Sequence, residues 1–161
     1  MSRELDVLRA HLQTEREHVL SAVEGLGEED LTRPVAPSGW SIAQLLNHLT
    51  YDDEIFWVGA ILGGDEESIG LVQDGWQVPV TSGAAAIAEY CDRGWRSDVV
   101  LAALDLDEAP RWWPPAEVFP FPRFADARGC VYRVLLETAT HAGHLDLVRE
   151  TIDGRQHMVV S

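Results

Sequence analysis

The chain has no lysine. All 12 basic residues among its 161 are arginine, so no side-chain amine is available for Schiff-base chemistry. Positive charge is scarce altogether: 12 arginines face 27 acidic residues, a formal net charge of −15 at pH 7. No basic stripe offsets that total, which excludes a protein that lives on nucleic-acid phosphate. Only two cysteines occur, Cys91 and Cys130, too few for a disulfide framework. Both fall in helical patterns, where burial as a small apolar residue is the expectation. No run approaches the roughly 18 apolar residues of a membrane span. The N-terminal M-S-R-E-L-D-V-L-R is charged and amphipathic, unlike a signal peptide, so no membrane association and a cytoplasmic location are expected.

What the chain does have is helical periodicity. Residues 3–25 place Leu5, Leu8, Leu12, Val19 and Val23 on one stripe, ended by Gly25 to Gly27. His11 and His18 share a face of this helix, with Glu15 and Arg16 between them marking it as wet. A second helix is expected over 41–62. Ser41 is its N-cap, Trp40 packs back across its first turn, and its stripe is Ile42, Leu45, Leu46, Leu49 and Phe56. Asp53 falls inside that stripe, where an unpaired carboxylate is costly, and Arg133 stands at the matching height of an antiparallel last helix as its expected partner. Residues 63–82 are rich in turn formers and read as loop. A third helix, capped by Thr81 or Ser82, carries Ala84, Ile87, Ala88, Cys91, Trp95, Val99 and Ala102 on its packed side.

Residues 106–127 contain five prolines and five aromatics. Such a stretch cannot be a helix and is too apolar to be a free linker, so it folds back as either a pocket wall or a cover over one end of the molecule. A last helix over 128–153 has the stripe Val131, Leu135, Thr138, Ala142, Leu145 and Ile152 and stops at Gly154. Beyond it, His157 reads as a terminal side chain. The expected architecture is one all-α domain over residues 1–161, a four-helix bundle with long loops between helices two and three and between helices three and four.

Glu137 and His141 lie four residues apart on the last helix, one turn above each other on one flank of the stripe. A carboxylate oxygen and an imidazole nitrogen so placed can grip one cation. His48 sits on the matching flank of helix two and is the best third ligand. His144 lies further from the stripe and reads as a supporting residue. Two segments, S-G-W-S-I-A-Q-L-L-N-H-L ahead of Thr50 and E-T-A-T-H-A-G-H-L-D-L-V-R-E-T-I-D-G at the end, resemble the DinB/YfiT-like superfamily of small four-helix metalloproteins. The likeness is to the branch related to mycothiol-dependent maleylpyruvate isomerase. In that branch a His on helix two and a Glu-x-x-x-His pair on helix four hold the metal, which implies His48, Glu137 and His141 here. The departure is Arg133, where related sequences often carry a His near that position.

Three protein ligands leave one position of a tetrahedral ion open, the arrangement of a catalytic site. Two imidazoles and a carboxylate suit Zn²⁺, with Ni²⁺ or Fe²⁺ as alternatives. The resemblance implies a transferase that presents a low-molecular-weight thiol, mycothiol, as thiolate to a small-molecule electrophile, with Arg133 and Arg149 as candidates to bind carboxylates of thiol or substrate. A metal-dependent hydrolase and a non-catalytic, metal-stabilised binding protein are the alternatives. Leu136 and Leu147 share the outer face of the last helix and offer a surface for a homodimer.

Overall fold

The computed structural model describes residues 2–157, and all secondary structure among them is helical. Helix α1 (Arg3–Val23) starts at Ser2, whose side chain accepts the Leu5 N–H, and buries Leu5, Leu8, Leu12, Val19 and Val23 as its periodicity requires. A short α2 (Glu28–Thr32) follows. Helix α3 (Ile42–His48) opens with a capping box, in which the Ser41 hydroxyl accepts the Gln44 N–H and the Gln44 side chain accepts the Ser41 N–H. Two otherwise orphaned donors are satisfied reciprocally.

From Leu49 the same rod continues to Leu62 as a π-helix, with the Gly63 N–H reaching back five residues to the Val58 carbonyl at 2.9 Å. The helix expected over 41–62 is therefore present, but two-thirds of it is wound more widely than 3.6 residues per turn. Asp53 is buried as its place in the stripe requires, Glu54 is buried beside it, and every residue from Asp53 to Leu62 is buried. Helix α4 (Glu66–Gly70) and a 3₁₀ turn (Gly75–Gln77) give regular structure to the stretch expected as loop, each capped by the aspartate before it, Asp65 or Asp74.

Helix α5 (Gly83–Ala102) corrects an expectation. Cys91, Trp95 and Val99 are exposed, and the packed face is Ala86, Tyr90, Gly94, Ser97 and Leu101, one residue or about 100° further round. Tyr90 and Leu101 fill that face, and small residues stand where the π-helix and Arg16 pass close by: the Ser97 hydroxyl donates to the Glu54 carbonyl, and a Cβ on Gly94 would touch the Arg16 side chain. Cys130, by contrast, is buried as expected.

Helix α6 (Ala127–Asp153) is capped by Asp126, which accepts the Gly129 N–H, and ends at Gly154 in the left-handed conformation. Helices α1 and α6 run in the same direction, joined by Glu4–Arg128 at one end and by Arg149 donating to the Ala22 carbonyl at the other. The α3–π rod runs the opposite way, since Trp57 lies beside Arg133 whereas His48 reaches Glu137. Arg16 is only 4% exposed, so the wet face expected around it is instead a buried hub. Its guanidinium makes two bonds to Glu54 at 2.6 and 2.7 Å and one to Asp98 at 2.7 Å, tying α1, the π-helix and α5 together. The loop before α6 folds back, the Arg111 and Trp112 N–H groups donating to the Ile61 carbonyl and Phe119 packing on Phe56 and Trp57. No helix among the described residues is long and apolar enough to cross a membrane.

Candidate metal centre

His48 ends α3 at the junction with the π-helix, and one turn later Asp52 takes its Nδ1 at 2.6 Å. That contact leaves Nε2 directed at Glu137, 3.4 Å from Oε1. The same oxygen lies 3.2 Å from Nε2 of His141. One ligand atom from each of the three residues thus lies within 4.8 Å of the other two. Bonds of about 2.0–2.1 Å to a tetrahedral cation set its ligands roughly 3.3–3.4 Å apart, and the two separations given bracket that value. The donor set and these two separations fit a divalent cation, the histidine nitrogens lying within 4.8 Å of each other.

Burial works against ionisation of Glu137, but the Arg133 guanidinium bonded to it, with His48 and His141 nearby, outweighs burial and holds the carboxyl below its usual range. Burial, helped by the charge of His48, pushes His141 below the usual imidazole range, against the opposing pull of Glu137. Carboxylate and neutral imidazole are the forms a metal requires. His144 supports this arrangement, its Nδ1 lying 3.3 Å from that of His141.

The support around His48 was only half visible in the sequence. Asp52 stands four residues after it, a spacing that could have pointed to the pair. Gly75 and Trp76 gave no signal, being distant in sequence. The Gly75 N–H donates to Asp52, and a Cβ there would lie 2.7 Å from the His48 Cα and 2.9 Å from an Asp52 carboxylate oxygen. Trp76 then stacks on the His48 ring at 4.5 Å. Asp52→Asn is expected to weaken divalent-cation affinity about 10- to 100-fold with little change in helicity, measured by competition with a chromophoric chelator.

Two expectations about arginine change. Arg133 bonds Glu137 on its own helix rather than Asp53, because a partner four residues away on the same helix face is nearer than one across the groove. Asp53 is 1% exposed, and neither carboxylate oxygen has a hydrogen-bond partner. Arg149 is not brought to the cluster: it lies eight residues, about 12 Å, further along α6 than His141. It is bound there to Asp153 and to the Ala22 and Glu24 carbonyls, closing the end of α1.

A second group, His18, Asp146 and His157, also comes together. Its imidazoles are stacked at 3.6 Å and 15°, which aims their nitrogens side by side rather than at one point, and Asp146 is already bonded to His18 at 2.8 Å. His157, expected as a terminal side chain, thus stacks on His18, whose expected face-mate His11 is not part of the group. The first triad alone has convergent ring nitrogens.

Two cavities border the first triad, one at His141 and one at His48. One, of about 610 Å³, is a groove lined by Ser38, Gln44, Trp76, Gln77, His141 and His144. The other, of about 480 Å³, is walled by aromatic rings of the π-helix and of the proline-rich loop, with His48, Asp52 and Arg133 on its rim. The loop is therefore a pocket wall as well as a cover.

The class these features define is an all-helical protein with a candidate two-histidine, one-glutamate cation site bordered by two cavities. A model of the mycothiol-S-transferase family matches residues 7–154, and the chain belongs to that family, within the DinB/YfiT-like superfamily. No curated protein matches the chain.

Proposed function

We propose that this protein is a divalent-metal-dependent thiol S-transferase, built as a single four-helix-bundle domain and working on mycothiol in the reducing cytoplasm. The observation that carries the reading is the convergence of His48 Nε2, Glu137 Oε1 and His141 Nε2 beside two accessible cavities, in a chain of this family. These three residues would hold the ion, Zn²⁺ by preference and Ni²⁺ or Fe²⁺ as alternatives. When bound, such a cation lowers the pKa of a thiol at its open position so that the thiolate exists near neutral pH.

The chain's own groups prepare that position. Asp52 holds His48 by its remote nitrogen so that Nε2 faces inward, and Trp76 covers the ring from one side. Arg133 holds one carboxylate oxygen of Glu137 and leaves the other to face the histidines. Sulfur then forms a bond to carbon of the electrophile, and the leaving group departs with the bonding electrons. An addition across a double bond instead ends with a proton taken up at the neighbouring carbon.

Incubation with mycothiol and monobromobimane tests the reading. Thiol and bimane are expected to be consumed one for one, with activity lost on chelation and restored by Zn²⁺. Product formed at the same rate without any thiol would replace transfer with hydrolysis.

A further inference from the structure

We propose that the cavity under the proline-rich loop is the electrophile site and that it selects an uncharged aromatic molecule, with the thiol's polar body lying in the groove beside His141. This rests on the thiol-transfer reading for its naming of the two substrates, but the cavity's selectivity follows from its walls alone.

The walls are almost entirely rings. Phe56 and Trp57 come from the π-helix, and Trp113, Phe119, Phe121 and Phe124 come from the loop. They meet edge to face and tilted: Trp57 lies 5.8 Å from Trp113 and 5.5 Å from Phe124, and Phe119 lies 5.6 Å from Trp113 and 4.9 Å from Phe121. Such walls hold a flat π-system by offset and T-shaped contacts. The volume of about 480 Å³ falls in the range of small-ligand sites. Phe121 is 63% exposed and Phe124 is exposed as well, rings that cover the core poorly but complete this cavity.

Its charged rim is already committed. Asp52 is taken by His48 and the Gly75 N–H, and Arg133 is bonded to Glu137 while lying 5.9 Å over the Trp57 ring. An anionic substrate would have to draw Arg133 away from Glu137, in a protein whose formal charge of −15 already repels it. A neutral one leaves each pair intact. The groove presents Ser38, Gln44 and Gln77, with Trp40, Leu45 and Trp76, beside His141 and His144, so hydrogen-bonding groups for a hydroxyl-rich thiol are set among apolar walls. His48 lines the ring-walled cavity and His141 lines the groove, so each cavity borders one histidine of the triad.

The test uses two nitroaromatics of similar size that lack a leaving group, 2,4-dinitrotoluene and the anion 2,4-dinitrobenzoate, added to the protein without thiol. Binding is followed by calorimetry and by ¹⁵N spectra of the tryptophan indoles. The neutral compound is expected to shift the Trp57 and Trp113 indole signals and leave Trp95 unmoved, with the anion at least tenfold weaker. Phe119→Ala should weaken binding about five- to tenfold. Phe121→Ala should weaken it in the same direction, and because this ring is exposed the variant keeps its fold. Ser38→Ala, in the groove, should change nothing. Equal affinity for the two compounds, no shift at Trp57 and Trp113, or full affinity in both phenylalanine variants would overturn the proposal. Since the probes need neither thiol nor turnover, such a result leaves the transferase reading standing, and failure of thiol consumption leaves this one standing.

Discussion

Alanine at both His48 and Glu137 will lower divalent-cation affinity by about four orders of magnitude while the circular dichroism of the helices stays unchanged. The magnitude follows from the roughly 10–16 kcal/mol released when four ligands take up a zinc-type ion, about 3 kcal/mol or 100-fold per ligand lost. The helices persist because neither residue belongs to the apolar core: His48 is buried at the edge of a cavity against Asp52 and Trp76, and Glu137 keeps 25% of its side-chain exposure. A His18→Ala variant serves as the control, since it breaks the stacked second cluster and leaves the triad whole. Unchanged affinity in the double variant, or a loss of equal size in His18→Ala, would remove the metal centre from the account and the proposed chemistry with it.

Asp53→Asn will stabilise the chelator-treated protein relative to the parent above the ordinary carboxyl range, and the gain will grow with pH for as long as the folded carboxyl stays protonated. Burial, reinforced by the charges of Glu54 and Glu137 and opposed by Arg133, pushes the Asp53 carboxyl well above its ordinary value of 3.8. In the unfolded chain the group ionises near that ordinary value. Between the two the native state holds one more proton, so stability falls with rising pH by about 1.4 kcal/mol per unit. The contribution of Asp53 is fully present below 3.8 and is lost as pH climbs toward and through the folded value. Asparagine does not titrate, and two pH units separate the two proteins by about 3 kcal/mol, roughly 6–12 °C in Tm for a chain of this size. Melting curves from pH 5 to 7 that stay parallel would mean that Asp53 is ionised in the fold.

Much of this was readable from periodicity. The α1 stripe, the limits of α6, the Ser41 cap and the Glu137–His141 pair follow from rules that act within one or two helical turns. Reading α5 by a stripe through Cys91, Trp95 and Val99 missed the face of Tyr90, Gly94, Ser97 and Leu101 that meets Arg16 and the π-helix. Pairing Asp53 with Arg133 rested on their matching height across the groove, and Arg133 is taken instead by Glu137 on its own helix.

The sequence by itself determined which groups can serve as ligands, because an i, i+4 spacing on a helix places Glu137 and His141 together whatever surrounds them. It also determined that the proline-rich stretch must lie against the helices, because its rings cannot be left in water. Only the tertiary structure decided that Gly75 and Trp76 close on His48, and that His141 borders one cavity while His48 borders a chamber of rings. Those outcomes depend on contacts between segments far apart in the chain, where packing in three dimensions, and no local period, sets which atoms meet.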